Sequence, residues 1–186
     1  EVGRVIGLEL DAEARMLAQK AAHEIGLEGM VEFVPAEKDY IPMIDECFDA
    51  LVSDFIVYPT SAPTQIGQEE MARVLVPGGK MILTDVIVTK PLEQAVRDEL
   101  NVIGLDYLCE GRVEDFKRWT AEAGLINVKV QDLSSTLRQV WESRREIDQI
   151  AGHQTGYAYL LDDHTTRLGA AIHYIYVQGE KPKVIT

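Results

Sequence analysis

The sequence of 186 residues has few cysteines, no long apolar run and a deficit of positive charge, and each of these excludes a class of protein. Its two cysteines are too few for a disulfide framework and fit a reducing, cytoplasmic compartment. No apolar run approaches the ~18 residues that a membrane span needs, and no signal peptide is evident. With 18 Lys and Arg against 31 Asp and Glu, the net charge of −13 argues against a surface that binds nucleic acid. The scattered histidines His153, His164 and His173 show no metal-ligand spacing, so we expect no metal site.

What the sequence does contain is an alternation of strand and helix patterns. Hydrophobic residues make up 46% of the chain, enough to build a core. The apolar run at residues 5–10 is typical of a strand buried on both faces, and Asp11 is a plausible N-cap for the helix that follows. Further strands are predicted at residues 31–34, 48–52, 126–130 and 171–177, with another starting at Met81, and helical patterns lie between most of them. This order predicts an α/β fold, a mostly parallel sheet with helices on both faces, in one domain over residues 1–186.

Three successive predicted strands each end in or near a carboxylate. These acids are Glu9, Glu37 and Asp54. Ligands bind beyond the carboxyl ends of strands in open parallel sheets, where a carboxylate can accept hydrogen bonds from ribose hydroxyls or an adenine amino group. Each acid alone could equally be a solvated residue at a strand end. Three in succession are more specific than any one of them.

Several runs carry a family resemblance. They are residues 5–11, 31–37, 47–54 and 72–80, the last ending in a Pro-Gly-Gly turn between a helix and a strand. In this order and spacing they resemble the class I S-adenosylmethionine-dependent methyltransferases. Residues 86–125 are similar to the ubiquinone-pathway and arsenite methyltransferase branches, which act on small molecules.

The resemblance implies a Rossmann-like fold, S-adenosylmethionine as cofactor and specific roles for six residues. Glu9 would bind the ribose and Leu10 would pack on the adenine. Glu37 and Lys38 would lie beside the base, and Asp54 and Phe55 beside the methionine moiety and the substrate.

Two departures from the family pattern bear on these expectations. The family's glycine-rich loop and first strand are absent and should lie just upstream of Glu1, so we expect that residues precede this sequence or that another chain supplies the strand. In arsenite methyltransferases a thiolate follows the third of the strands matched here, where this chain has Phe55. Only Cys109 stands where a family thiol could be, and one cysteine is weak ligation for a soft metalloid, which disfavours arsenite as substrate.

The acceptor pocket is expected in the second half of the chain, and no residue is assigned as catalytic. Residues 134–169 form a long segment that we interpret as a lid or a capping insertion. The candidate substrate residues are Tyr58, Cys109, Tyr157, Tyr159 and His164, although His164 suits a solvated turn better than a general base. We interpret Cys47 and Trp119 as buried hydrophobic residues, and His173 and Tyr174 as strand residues of which one side faces the core.

Three functions are compatible with these patterns. The first is methyl transfer from S-adenosylmethionine to a small-molecule acceptor, by an enzyme that could be a homo-oligomer. The second is a non-catalytic methyltransferase-like module that needs a partner or a further N-terminal segment. The third is a nucleotide-cofactor dehydrogenase, because an acid at Glu9 would also suit the ribose of a nicotinamide cofactor. The Pro-Gly-Gly turn and the late strand favour the first.

Overall fold

A computed structural model gives the fold of the chain. It describes residues 3–36, 40–54, 65–91, 94, 97–98, 109–136, 139, 143, 146, 150 and 172–183. The chain divides into two compact units, residues 1–44 and residues 45–186. No helix in the described ranges is long and apolar enough to cross a membrane.

The first unit is a βαβ arrangement. Strand β1 (Val5–Glu9) is followed by helix α1 (Ala12–Glu24) and strand β2 (Val31–Pro35). The two strands run parallel, with Val5 opposite Val31 and Glu9 opposite Pro35. Helix α1 begins where predicted, because the Asp11 carboxylate accepts a hydrogen bond of 2.7 Å from the backbone N–H of Ala14.

Helix α1 does not bury the whole apolar stripe that its sequence shows. Ala22 is buried, but Leu17 and Ile25 are 55% and 71% exposed. The helix is tied to β2 through Gln19, whose Oε1 accepts a hydrogen bond of 3.0 Å from the backbone N–H of Phe33. The side of α1 that carries Gln19 therefore faces the strand, and the remaining apolar residues stay accessible.

Gly7 in β1 allows a close approach of the neighbouring strand. Phe33 lies directly opposite Gly7 in the parallel pair, and its ring crosses the space that a side chain at Gly7 would occupy. A Cβ atom at this position would come within 2.5 Å of the Phe33 ring. A glycine at position 7 is therefore required for the Phe33 ring to occupy this space.

The second unit contains a five-stranded mixed sheet. Its strands lie in the order β3-β4-β7-β6, and β5 pairs with the end of β4. Strands β3, β5 and β6 run parallel to β4, and β7 is antiparallel to both of its neighbours. The elements, in chain order, are β3 (Phe48–Asp54), α2 (Gln65–Val74), β4 (Leu75–Val88), β5 (Cys109–Glu110), α3 (Val113–Glu122), β6 (Ile126–Asp132) and β7 (Ile172–Glu180).

Helix α3 and the central strands form the core of this unit. Phe116 is fully buried and meets Trp119 edge to face, with ring centroids 5.1 Å apart, as the prediction of Trp119 as a core residue requires. The helix begins where the Asp115 carboxylate accepts a hydrogen bond of 2.8 Å from the backbone N–H of Arg112. Other large apolar side chains that are almost fully buried in this unit include Leu75, Met81, Leu83, Ile87, Ile175, Val74 and Val177.

The Pro-Gly-Gly turn between α2 and the main part of β4 is also as predicted. Gly78 has a φ of +84°, a backbone angle that residues with a side chain rarely adopt. A Cβ atom on Gly79 would lie 2.8 Å from the carbonyl oxygen of Val76. The turn is fixed to residue 181 by two backbone hydrogen bonds of 2.9 Å, one from Gly78 and one to Gly79. The glycines therefore permit the chain to reverse in the space available.

The burial predicted for β1 and for Cys47 is wrong. Strand β1 is half-buried rather than buried on both faces, and Val5 is exposed. Cys47 lies just before β3 and is exposed rather than a buried hydrophobic residue. Its backbone N–H donates to the carbonyl oxygen of Val74, so this position connects the start of β3 to the end of α2 at the surface. Tyr174 in β7 is buried, as predicted for one side of the last strand.

Candidate functional site

In the first unit, Glu9 is held in place at the carboxyl end of β1. Its Oε1 atom accepts a hydrogen bond of 2.9 Å from the backbone N–H of Asp11. Its backbone carbonyl oxygen accepts two more, from the N–H of Ala36 at 3.1 Å and from the Arg15 guanidinium at 3.2 Å. The strand end, the helix start and the end of β2 are thus joined around this residue.

This arrangement leaves binding capacity on Glu9. The second carboxylate oxygen, Oε2, makes no hydrogen bond within the described part of the chain. A carboxylate whose one oxygen is fixed by the backbone presents the other in a defined direction, which suits a hydroxyl donor. Leu10 follows directly and is 46% exposed, so its side chain is accessible to a flat apolar surface. The two residues have the properties that the ribose and adenine assignments require.

The structure describes the other two acids at the strand ends only in part. Ala36, which is hydrogen-bonded to Glu9, is followed by Glu37 and Lys38, and both of these lie outside the described residues. In the second unit, Asp54 is the last residue of β3 and pairs with Thr84 of β4, although only its backbone is described. Phe55 and Tyr58 also lie outside the described residues.

Of the predicted substrate residues, the structure describes only the backbone of Cys109. The backbone of Cys109 is in β5, where it pairs with Ile87 near the carboxyl end of β4. Tyr157, Tyr159 and His164 lie outside the described residues. Within the predicted lid of residues 134–169, the described positions are helical: 134–136, 139, 143, 146 and 150.

The structure brings together a pair that the sequence did not indicate, Asp132 and His173. Nδ1 of His173, at the start of β7, lies 2.7 Å from Oδ2 of Asp132, the last residue of β6. Asp132 pairs with Ile175, so Asp132 and His173 are diagonal neighbours on one face of the sheet. Such neighbours are within reach of long side chains.

Ser134 fixes the other oxygen of Asp132. Oδ1 accepts hydrogen bonds from the backbone N–H of Ser134, at 2.8 Å, and from the Ser134 hydroxyl. The Ser134 hydroxyl oxygen in turn accepts a hydrogen bond of 3.0 Å from the backbone N–H of Tyr174. Both carboxylate oxygens of Asp132 are therefore used, and the network connects the end of β6 to β7.

The network keeps Asp132 ionised. Burial alone would raise the pKa of Asp132, but the hydrogen bonds from the Ser134 side chain, from His173 and from the Ser134 backbone outweigh burial. They hold the pKa of Asp132 below its usual value.

Two signals in the sequence could have drawn attention to this pair. Asp132 stands two residues before Ser134, in a pattern typical of a helix start, and His173 is a polar residue in the otherwise hydrophobic run of residues 171–177. Neither signal shows that the two residues meet, because 41 residues separate them. Among the described residues, no group of three or more His, Cys, Asp or Glu side chains could hold a metal ion.

Comparison with protein families gives a match over residues 1–83, to a family described as a methyltransferase domain. The match includes β1, Glu9 and most of β4. Two curated relatives are similar to the chain. The arsenite methyltransferase of Halobacterium salinarum is 26% identical over 149 residues, 79% of this chain. The ubiquinone/menaquinone biosynthesis C-methyltransferase of Klebsiella pneumoniae is 27% identical over 97 residues, 51% of this chain. The chain spans 38% of the length of each relative.

A solved structure with the same fold is phosphoethanolamine N-methyltransferase 2 of Haemonchus contortus, determined with phosphomonomethylethanolamine and S-adenosylhomocysteine. It has a TM-score of 0.78 and 17% sequence identity, and the similarity covers 97% of this chain and 44% of that one. The same enzyme has also been solved with S-adenosyl-L-methionine. Together, these matches confirm the predicted resemblance to the class I S-adenosylmethionine-dependent methyltransferases and the Rossmann-like α/β fold that the resemblance implies.

Proposed function

We propose that the protein transfers the methyl group of S-adenosylmethionine to a small-molecule acceptor. The observation that carries the proposal is Glu9, held at the carboxyl end of a parallel strand inside the segment that matches a methyltransferase domain. The curated relatives named above are also methyltransferases. The dehydrogenase and the non-catalytic module are not favoured, because neither the family match nor the relatives point to them.

The cofactor fits the residues that the structure describes. The backbone of Asp11 orients the Glu9 carboxylate, which can accept hydrogen bonds from ribose hydroxyls, and the exposed Leu10 can cover an adenine face. When bound, the cofactor supplies an activated methyl group. The remaining assignments belong to the same proposal: Glu37 and Lys38 beside the base, and Asp54 and Phe55 beside the methionine moiety.

The protein's main task in this chemistry is to position the reactants. Methyl transfer from a sulfonium needs donor and acceptor in line at about 3 Å, with water excluded. We propose that Tyr58, Cys109, Tyr157, Tyr159 and His164 surround the acceptor and that residues 134–169 cover it. The position of Cys109 in β5, beside the end of β4, supports its part in this proposal.

The test is a transfer assay with the intact protein. S-adenosylmethionine with a tritiated methyl group is incubated with a small-molecule filtrate of the source cells, and labelled products are separated by chromatography. We expect one labelled product that wild-type protein forms and Glu9→Ala forms far more slowly, whereas Glu13→Ala, an exposed acid on α1, behaves as wild type. The absence of both labelled product and S-adenosylhomocysteine binding would refute the proposal.

Arsenite serves as a separate acceptor in the same assay. The sequence has two cysteines, and Cys47 is exposed at the start of β3 in the second unit. Because stable binding of a soft metalloid requires several thiolates, we expect no methylation of arsenite. Cytoplasmic location and self-association stay predictions from the sequence.

A further inference from the structure

The contact with Asp132 defines the tautomer of the His173 imidazole. An ionised carboxylate can only accept hydrogen bonds, so the hydrogen between the two residues is on Nδ1 of His173. In the neutral ring, Nε2 then carries the lone pair. Within the part of the chain that the structure describes, Nε2 makes no hydrogen bond. The His173 side chain is 29% exposed, so a small molecule can reach it.

The pair also lies at the edge of the sheet that ligands use. Strands β3, β4 and β6 are parallel, so their carboxyl ends, Asp54, Val88 and Asp132, lie toward the same edge. The start of β7 is at this edge too, because Ile172 pairs with Val88. Ligands of open α/β sheets bind outside this edge. Strand β7 is two strands from β3, about 10 Å across the sheet.

We propose that Nε2 of His173 accepts the proton that the methyl acceptor loses, with Asp132 as the residue that positions the imidazole. The inference rests on the proposed function. In the step, a lone pair of the acceptor forms the bond to the methyl carbon, and the bond between sulfur and methyl breaks with its electrons on sulfur. The proton of the acceptor passes to Nε2, and Asp132 stabilises the resulting imidazolium.

The arrangement of the network favours this role over a purely structural one. A histidine needed only to join β6 to β7 would be redundant, because two other hydrogen bonds already connect the end of β6 to Tyr174. One runs from the Tyr174 N–H to the Ser134 hydroxyl oxygen and one from the Leu133 N–H to the Tyr174 carbonyl oxygen. The additional contact to His173 fixes the ring orientation and tautomer. A residue that acts as a base needs both properties fixed.

The first test measures the tautomer directly and needs no acceptor. In intact protein labelled with ¹⁵N-histidine, NMR should show that the neutral His173 ring carries its hydrogen on Nδ1. In Asp132→Asn this preference should be lost, because the amide can both donate and accept. A neutral ring with its hydrogen on Nε2 in the wild-type protein would overturn the proposal.

The second test measures transfer to the labelled product formed from the small-molecule filtrate. His173→Gln should lower the rate by about a hundredfold to ten-thousandfold, the range for general base catalysis, with the affinity for S-adenosylhomocysteine unchanged. Added imidazole should restore part of the rate in His173→Ala. His23→Gln is the matched control, because His23 forms a similar contact of 2.8 Å with Glu28 on the exposed surface of the first unit.

The outcomes separate this proposal from the proposed function. If wild type and His173→Gln form the product at similar rates, methyl transfer stands and the role of His173 is refuted. If wild-type protein neither binds S-adenosylhomocysteine nor forms product, the proposed function fails and this inference fails with it. Should the His173 variants not fold, Asp132→Asn replaces them, and a rate equal to that of wild type would again refute the role.

Discussion

The two units of the chain use apolar side chains differently. In residues 45–186, side chains such as Phe116, Leu83 and Ile175 are almost fully buried around the central strands. In residues 1–44, Leu17 of α1 and Ile25 directly after it remain more than half exposed. The smaller unit nevertheless holds Glu9 through three hydrogen bonds that involve the backbone. A binding residue can therefore be fixed by hydrogen bonds to residues near it in the sequence. The stability of a unit depends instead on the packing of apolar side chains that are distant in the sequence.

The largest expected effect contrasts the core of the second unit with the exposed helix of the first. Phe116→Ala should lower the free energy of unfolding by about 3–5 kcal/mol, because it leaves a cavity and removes the contact with Trp119. Leu17→Ala should change it by less than about 0.5 kcal/mol, the usual range for exposed positions. Chemical denaturation of the intact protein measures both. Equal effects of the two substitutions would contradict the comparison.

The next effect concerns backbone conformation. Gly78 has a φ of +84°, and the side chain of Lys183 lies beside the space for a Cβ atom. Gly78→Ala should therefore destabilise the protein by about 1–2 kcal/mol. Gly3→Ala in the first unit is the control, because nothing lies within 4 Å of a Cβ atom there. Thermal unfolding of both variants tests this prediction. A melting temperature of Gly78→Ala equal to that of wild type would refute the role of the turn.

The smallest effect depends on pH and comes from Asp132. The pKa of this residue is lowered in the folded protein, so its ionised form stabilises the fold above the pKa of the unfolded chain. This stabilisation is lost as the pH falls through the lowered pKa. Asp132→Asn should thus be less stable than wild type near neutral pH, and the difference should shrink in acid. Chemical denaturation across this pH range measures the difference in stability between wild type and Asp132→Asn, with Asp49→Asn, at an exposed position, as control. A difference that does not change with pH would contradict the role of the network.

Local patterns in the sequence predict much of this molecule, and contacts between distant residues account for the rest. Asp11 as an N-cap, the turn at Gly78 and the strand that ends at Glu9 each depend on a few neighbouring residues, and the structure has all three. The exposure of Leu17 depends on which side of α1 faces β2, which the periodicity of the helix alone does not fix.

The Asp132–His173 pair shows the same limit at the candidate site. The contact depends on the antiparallel register of β6 and β7, which places Asp132 opposite Ile175. A shift of one residue would move His173 to the opposite face of the sheet. The sequence shows that both strands exist but does not fix their register, so the pair could not be predicted.

The central claim is that Glu9 binds the ribose of S-adenosylmethionine. Calorimetric titration of S-adenosylhomocysteine into the intact protein and into Glu9→Ala and Glu13→Ala tests it most directly. We predict that Glu9→Ala weakens binding by about 1–3 kcal/mol, the loss expected for a charged hydrogen-bond acceptor, and that Glu13→Ala binds as wild type. Unchanged affinity in Glu9→Ala, in a variant that melts like wild type, would contradict the account.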